Sequence, residues 1–219
     1  MSDIDKIVPS RLEKAMYGIL YKYVGDKIPE GITPNQITLI GAIFGFIGII
    51  CGFLAGVSKF FLIGTMLGIM GHLVCDDLDG YIARKRKMTS LAGGYFDLLT
   101  DILHITYLII ALSYSGVVQF RIAIWMVPVY ALIIFTSMNS ILYLKKFPFP
   151  RLGPIETHLF FCGVCLVTMI FGMEPILDFY GMEFNIADFI FVAGAIPMYF
   201  EMIRLQIELF RDLQKEDKK

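Results

Sequence analysis

The chain has 219 residues and a net charge of −1, and 57% of its residues are hydrophobic. Soluble domains contain about 45–50% apolar residues, so this composition excludes an ordinary soluble domain and indicates an integral membrane protein. The near-zero charge argues against a nucleic-acid partner, and the length predicts one membrane domain over residues 1–219 without a separate soluble part.

The first predicted element is an amphipathic helix over residues 10–30. Ser10 followed by Glu13 is typical of a capping box at a helix start. Apolar residues then recur at helical spacing: Leu12, Ala15, Met16, Ile19, Leu20 and Tyr23. We expect this helix to lie in the interface of the inner leaflet, and packing against the bundle is the alternative. Gly31 and Pro34 end the pattern before the first span.

Six long apolar segments follow the N-terminal helix. Crossing the hydrocarbon core takes about 20 apolar residues. The segments lie near 36–57, 59–83, 92–115, 121–144, 155–173 and 186–209. Pro128, Pro154 and Pro197 lie within spans or at their starts, where proline kinks a helix or begins one. The expected fold is an all-α integral membrane bundle of six transmembrane helices with an N-terminal interfacial helix.

The aspartates of the second and third spans are the first candidate site. Asp76 and Asp79 are three residues apart on one helix face, and Asp97 and Asp101 are four apart on the next. Carboxylates at membrane depth are costly and usually functional. We expect an antiparallel pair of helices to bring the two faces together. Asp77 points about 100° away from Asp76 and is left out of the set.

Four converging carboxylates repel one another unless cations neutralise them. Hard divalent ions such as Mg²⁺ or Mn²⁺ prefer oxygen ligands, and four carboxylates suit two ions. Two such ions stabilise the attacking and leaving oxygens of a phosphoryl displacement. The alternative is that these aspartates only cap helix ends near the interface.

Small residues and one arginine accompany the aspartates. Gly80 and Ala83 continue the face of the first acidic pair, and Gly93 lies one turn before the second. The missing side chains leave room for a bulky phosphorylated ligand. Arg84 follows in the same segment and can pair with a diphosphate through two hydrogen bonds.

The charged residues also predict the orientation of the chain. Of its 19 lysines and arginines, 17 lie in the N-terminal arm, the connections after the second and fourth spans, and the C-terminal end. Only Lys59 and Arg121 belong to the other side. Basic residues stay on the cytoplasmic side, so we expect both termini and the acidic site to face the cytoplasm.

The acidic segment reads Asp76-x2-Asp79-Gly80-x2-Ala83-Arg84-x8-Gly93-x3-Asp97-x3-Asp101. It resembles the signature of the CDP-alcohol phosphotransferase family (the CDP-alcohol phosphatidyltransferases) at every fixed residue and every spacing. The stretch 33–38 also resembles the start of the family's first span. The resemblance implies an enzyme of phospholipid biosynthesis that transfers a substituted phosphate from a CDP-linked donor to an alcohol, releases CMP and forms a homodimer.

The resemblance also implies a role for each matching residue. Asp76, Asp79 and Asp97 would bind two divalent ions, and Asp101 would bind metal and act as general base on the acceptor hydroxyl. The donor site would comprise the following residues: Gly80, Ala83, Arg84 and Gly93 around CDP, Ser90 at the donor phosphate, and Asn35 and Thr38 at the nucleotide.

The substrates divide the family into two branches. One uses CDP-diacylglycerol and a small polar alcohol, and the other uses CDP-choline or CDP-ethanolamine and diacylglycerol. The second branch usually has longer chains, which favours CDP-diacylglycerol here. A weak likeness of Gly153-Pro154-x-Glu156 to the second branch points the other way.

A patch of basic residues could bind the phosphate of an acceptor, or it could be an ordinary positive-inside segment in contact with anionic lipid. The patch has four members: Lys145, Lys146, Arg151 and Arg204.

Two other function classes compete with the enzyme. A divalent cation transporter would need polar residues across the whole bundle, whereas the acidic residues lie near the cytoplasmic ends. An inactive scaffold would have a broken signature. His72 and His104 would orient carboxylates or, more simply, pack in the core. The Cys162-x-x-Cys165 pair is interpreted as packing.

Overall fold

A computed structural model describes residues 11–145 and 151–218, with the side chains of residues 11–14 left out. The predicted cap residue Ser10 and the predicted acceptor contact Lys146 lie outside the described residues. The helices are α1 (Arg11–Tyr23), α2 (Pro34–Leu54), α3 (Phe61–Lys85), α4 (Leu91–Tyr114), α5 (Phe120–Ala123), α6 (Met126–Leu144), α7 (Pro154–Phe171) and α8 (Ile186–Glu216).

Six helical segments of the described chain are long and apolar enough to cross a membrane: α2, α3, α4, α5 with α6, α7 and α8. Their outer faces carry large apolar side chains such as Phe46, Phe135 and Phe200, each more than half exposed. Water would disfavour such a surface, whereas lipid tails match it. The predicted all-α membrane bundle is confirmed. The placement of α1 in the membrane interface stays a prediction.

The fourth span is divided into two helices near Pro128, one of the prolines expected to kink a helix or begin one. The short helix α5 ends at Ala123, and α6 begins at Met126. Pro128 explains the break, because its ring would clash with the carbonyl group four residues earlier, at Ile124, and it has no N–H to donate there.

A seam of glycines joins α2 to α3. A Cβ atom on Gly68 would touch the Gly48 Cα and lie 2.7 Å from the carbonyl oxygen of Phe44. Further along the seam, a Cβ atom on Gly41 would lie 2.8 Å from that of Cys75. Small residues let membrane helices approach closely enough for their backbones to touch. This seam sets the position of the acidic end of α3 against α2.

A short hairpin, not expected from the sequence, connects α7 to α8. Strands β1 (Leu177–Phe179) and β2 (Met182–Phe184) pair antiparallel around Tyr180 and Gly181. Both turn residues have positive φ, 52° and 75°, as a tight two-residue hairpin turn requires. Each strand has an acidic residue between two apolar ones, but three residues are too few to predict a strand from this alternation.

The end of the bundle that carries the hairpin has an apolar interior. Its core includes Ile49, Leu62, Leu108 and Leu112, all buried. Asp188 closes this end, because it caps α8 with Asn185 and accepts a 2.7 Å hydrogen bond from the backbone N–H of Gln119.

The segment between α1 and α2 is tied to the end of α3. The Arg86 guanidinium donates to the carbonyl oxygens of Ile28 and Ile32, at 2.7 Å each. The helix α1 ends at Tyr23, before the predicted limit of 30, and Gly25 then passes so close to Tyr81 that a Cβ atom would lie 2.7 Å from its ring.

Candidate active site

Three of the predicted acidic residues meet in the structure. Asp76 from α3 and Asp97 and Asp101 from α4 each offer a carboxylate oxygen, and these atoms lie within 4.8 Å of one another. The helices α3 and α4 both pack along α2, and few direct backbone contacts join them in the described chain. The helix α2 therefore positions both acidic faces, and the carboxylates meet in the space between α3 and α4.

The fourth acidic residue, Asp79, is buried beside the other three. It lines a small pocket together with Asp76 and Asp97, and only 4% of it is exposed. The Thr38 hydroxyl of α2 donates a hydrogen bond to the Asp79 carboxylate. This contact explains how a buried carboxylate is held in one orientation.

The carboxylate ligands of this site fit a hard divalent cation. All of its ligand atoms are carboxylate oxygens, which Mg²⁺ and Mn²⁺ prefer. The Asp97 Oδ1 atom is buried and has no hydrogen-bond partner among the described residues. A buried carboxylate oxygen needs a partner, and a cation between the carboxylates would supply it while offsetting their repulsion.

Three of the residues predicted to bind the CDP-linked donor meet in one corner next to the carboxylates. Ser90 caps α4, and its hydroxyl accepts a 3.0 Å hydrogen bond from the backbone N–H of Gly93. A Cβ atom on Gly93 would lie 3.0 Å from the Ser90 Oγ atom and 3.1 Å from the Asn35 Oδ1 atom. The corner thus presents polar oxygens over a position that has no side chain.

The other expected donor residues lie at the exposed end of α3. A Cβ atom on Gly80 would lie 3.1 Å from a terminal nitrogen of the Arg84 guanidinium, so the glycine leaves room for that group. Arg84 is exposed, and Ala83 beside it is half-buried. A guanidinium group near an acidic pocket is suited to a ligand that carries phosphate.

Comparison with known families now identifies this arrangement. A sequence model of the family described as CDP-alcohol phosphatidyltransferase matches residues 31–199. The chain belongs to this family. The matched region includes the whole acidic segment and leaves out α1. A search of curated proteins found no match.

Membership establishes the class of chemistry. CDP-alcohol phosphatidyltransferases transfer a substituted phosphate group from a CDP-alcohol to an acceptor in lipid synthesis, and they use divalent metal ions. Together with the six apolar helices, membership makes the chain a multi-pass membrane transferase. The transporter reading is set aside, because the chain is a transferase and the far half of its bundle has an apolar core.

The helix α1 contributes a residue to the site that sequence reasoning missed. The Tyr21 hydroxyl lies beside the Arg84 guanidinium, and the Tyr21 ring stacks on Tyr81 at 4.1 Å. Burial raises the pKa of Tyr21 to about 12, and the nearby Asp77 carboxylate adds to the shift. Tyr17 stacks on Tyr21 from the next turn of α1, and this i, i+4 pair of tyrosines was the available signal.

The predicted acceptor patch is only partly described. Lys145 ends α6 in a left-handed conformation and is exposed. The Arg204 guanidinium binds Glu201 and also Glu208, at 2.6 Å. Glu201 further accepts a 2.5 Å hydrogen bond from the backbone N–H of Arg151. These carboxylates compete with a phosphate for Arg204.

The histidines near the site gain a third member that was not considered from the sequence. His158 of α7 lies beside His72 and His104, and all three are buried. The two cysteines of the predicted packing pair, Cys162 and Cys165, are free thiols further along α7.

Proposed function

We propose that the chain transfers a phosphatidyl group from CDP-diacylglycerol to the hydroxyl of a small polar alcohol and releases CMP. The observation that carries this proposal is the convergence of Asp76, Asp97 and Asp101 beside the corner formed by Asn35, Ser90 and Gly93. A carboxylate centre next to a polar cradle suits a nucleoside diphosphate whose phosphates reach the carboxylates.

In this proposal, Asp101 acts as the general base. Its side chain is 17% exposed, so an acceptor hydroxyl can approach it more easily than the buried Asp79. Asp101 takes the proton of the hydroxyl, the oxygen attacks the β-phosphorus of the donor, and the bond to CMP breaks. Asp76, Asp79 and Asp97 would hold Mg²⁺ or Mn²⁺ with Asp101, and bound ions supply charge stabilisation for the phosphoryl oxygens.

The remaining polar residues would bind and orient the donor. Arg84 would pair with the diphosphate, and the neighbouring Tyr21 hydroxyl would help to orient it. Gly80 and Gly93 leave space that side chains would fill. The contact of Thr38 with Asp79 suggests that it orients a carboxylate in addition to any contact with the nucleotide.

For the acceptor, we propose a small polar alcohol, with or without a phosphate group, bound near Lys145, Lys146 and Arg151. Arg204 would act mainly by holding Glu201, which in turn holds the backbone of Arg151. The distribution of basic residues favours a site and both termini on the cytoplasmic side. A homodimer remains an expectation from the family.

The alternative reaction uses CDP-choline or CDP-ethanolamine with diacylglycerol. The likeness that favoured it, Gly153-Pro154-x-Glu156, has a local explanation. The Glu156 carboxylate accepts a 3.0 Å hydrogen bond from the Gly153 N–H, and Pro154 occupies the first turn of α7. A helix start accounts for this pattern without a substrate.

The test is CMP release by the purified protein in detergent with CDP-diacylglycerol and Mg²⁺ or Mn²⁺. The acceptors are glycerol 3-phosphate, inositol phosphate, inositol, serine, ethanolamine and choline, each assayed alone. We expect metal-dependent CMP release with one acceptor. Replacement of the base in Asp101→Asn should lower kcat by at least about 100-fold, within the range ascribed to general-base catalysis.

The matched control is Asp77→Asn, which removes a buried carboxylate of α3 from outside the proposed metal set and should retain activity within a few-fold. Release only with CDP-choline or CDP-ethanolamine and diacylglycerol would overturn the donor assignment. Full activity in Asp101→Asn would overturn the role of that residue.

A further inference from the structure

The three histidines of the chain form one buried cluster just below the carboxylates. His72 of α3, His104 of α4 and His158 of α7 are 3%, 4% and 3% exposed. The ring centroids of His72 and His104 lie 4.1 Å apart, and each lies 5.9 Å from that of His158. Three separate helices, two consecutive and one distant in the sequence, therefore place all of the chain's imidazoles in one site.

Most of the ring nitrogens in this cluster have no hydrogen-bond partner in the part of the chain that the structure describes. The buried atoms without a hydrogen-bond partner among the described residues are His72 Nδ1, His104 Nδ1, His104 Nε2 and His158 Nε2. Buried polar atoms are almost always paired, so this concentration of unpaired nitrogens at one point indicates a bound ion or ordered water.

The outer contact of His158 assigns its lone pair to the nitrogen without a described partner, and His72 has a carboxylate near its other nitrogen. His158 Nδ1 lies 2.7 Å from the carbonyl oxygen of Pro154, which can only accept, so Nδ1 carries the proton and Nε2 keeps a lone pair. His72 Nε2 lies 3.9 Å from the Asp101 Oδ1 atom, and its Nδ1 is the unpartnered atom. Outer contacts to a carbonyl and a carboxylate are the ones that orient histidine ligands in metal sites.

The distances are close to those of a three-histidine metal site. One ring nitrogen from each histidine lies within 4.8 Å of the other two. Nitrogen ligands about 2.1 Å from a tetrahedral ion lie roughly 3.4 Å apart, so the nitrogens must approach one another by up to about 1.4 Å. The near-parallel rings, with interplanar angles of 9–17°, must turn about their Cβ–Cγ bonds to aim at one point.

Gly45 of α2 makes room for the cluster. A Cβ atom there would lie 2.5 Å from His104 Nδ1 and 3.0 Å from His72 Cδ2. A side chain at this position would force the rings out of their present place. Because Gly45 has no side chain, two imidazoles lie directly against the α2 backbone.

We propose that His72, His104 and His158 form a second metal site, which takes a borderline divalent transition ion of the Zn²⁺ type. Imidazole nitrogens suit such ions, whereas the carboxylate set above suits Mg²⁺ or Mn²⁺. Three protein ligands leave a fourth position open for water or a substrate atom. The two sites are joined by the contact of His72 with Asp101. The proposal is independent of the donor and acceptor of the transfer reaction.

Co²⁺ is the probe, because it replaces Zn²⁺ in nitrogen sites and gives visible d–d absorption in low-coordinate geometry. The full chain in detergent, with serine in place of all four cysteines to exclude thiolate binding, is titrated with Co²⁺. We expect one equivalent to produce visible bands that Zn²⁺ abolishes and excess Mg²⁺ leaves in place. His104→Phe, which keeps a planar ring but removes both nitrogens, should abolish the bands, and Asp97→Asn should keep them.

Absence of the bands in the folded parent protein would overturn the proposal, as would their persistence in His104→Phe. Their loss in Asp97→Asn would assign the ion to the carboxylates instead and would also overturn it. If His104→Phe unfolds, His158→Phe serves in its place. In addition, with excess Mg²⁺ present to occupy the carboxylates, Zn²⁺ should raise the melting temperature of the parent protein and leave that of the histidine variant unchanged.

Discussion

Thr38 shows how much of the site depends on a single hydroxyl group. It is buried at 6% exposure and donates to Asp79, which lies 41 residues away on the neighbouring helix. The hydroxyl offsets part of the cost of burying a carboxylate and sets its orientation. The orientation of one proposed metal ligand therefore depends on a residue that carries no charge.

Replacement of this hydroxyl should weaken metal binding. In Thr38→Val, which conserves the side-chain shape, we expect the Mg²⁺ concentration for half-maximal CMP release to rise about 10–100-fold, the range for losing an outer partner of a metal ligand. Thr38→Ser restores a hydroxyl and should stay within a few-fold of the parent. An unchanged metal dependence with a raised KM for the donor would instead assign Thr38 to the nucleotide.

At the scale of residues, sequence spacing was sufficient to predict that the aspartates share helix faces. It was insufficient to predict which residues of other helices contact them. Residues three or four apart share a helix face, so the two acidic pairs could be predicted from the sequence alone. The contact of Thr38 with Asp79 and the place of His158 depend on how separate helices are rotated against one another. Nothing in the local sequence specifies that rotation.

At the scale of elements, the α2–α3 seam is the contact that fixes the site. Gly68 touches Gly48 across it, with backbone on both sides. Backbone cannot move aside as a flexible side chain can. Close approach of these two helices leaves α2 able to present Thr38 to one acidic residue and Gly45 to the histidines.

A methyl group in this seam should destabilise the protein. Gly68→Ala would place its Cβ atom 2.7 Å from the Phe44 carbonyl oxygen, and overpacking of this kind costs about 1–3 kcal/mol. We expect a lower melting temperature in detergent and reduced activity. Gly163→Ala is the matched control, since a Cβ atom there meets no atom within 4 Å. It should leave the melting temperature unchanged or raise it slightly, and equal losses in both variants would contradict the seam.

Elements could be predicted to different degrees. Long apolar runs specify the transmembrane helices, because few alternatives bury so much apolar sequence. The break before α6 has a visible cause in Pro128, but proline is compatible with a kink as well as with a break. The hairpin could not be predicted, because its three-residue strands are too short to show a period.

At the scale of the whole molecule, the two ends of the bundle differ in their basic residues and in their buried carboxylates. One end holds the acidic pocket, and the other has an apolar core closed by the hairpin and Asp188. The sequence predicted this division from 17 basic residues on one side, whereas the arrangement of helices around α2 required the structure.

The orientation can be measured with single cysteines in a chain that lacks its four native ones. Glu183→Cys reports on the hairpin, and Lys87→Cys reports on the connection between α3 and α4; both positions are exposed. We expect a membrane-impermeant thiol reagent to label the first in intact cells and the second only after permeabilisation, since basic connections stay in the cytoplasm. The reverse labelling would contradict the proposed orientation of the site.

The burial of every histidine has a consequence for kinetics. Histidine is the side chain whose ordinary titration falls between pH 5 and 8, and in this protein none is available at the surface. The outer side-chain charge, and with it the electrostatic attraction of anionic substrates, should therefore stay nearly constant from pH 6 to pH 8. A bend in the pH–rate profile within that interval would report on groups inside the bundle or on the phosphates of the substrate.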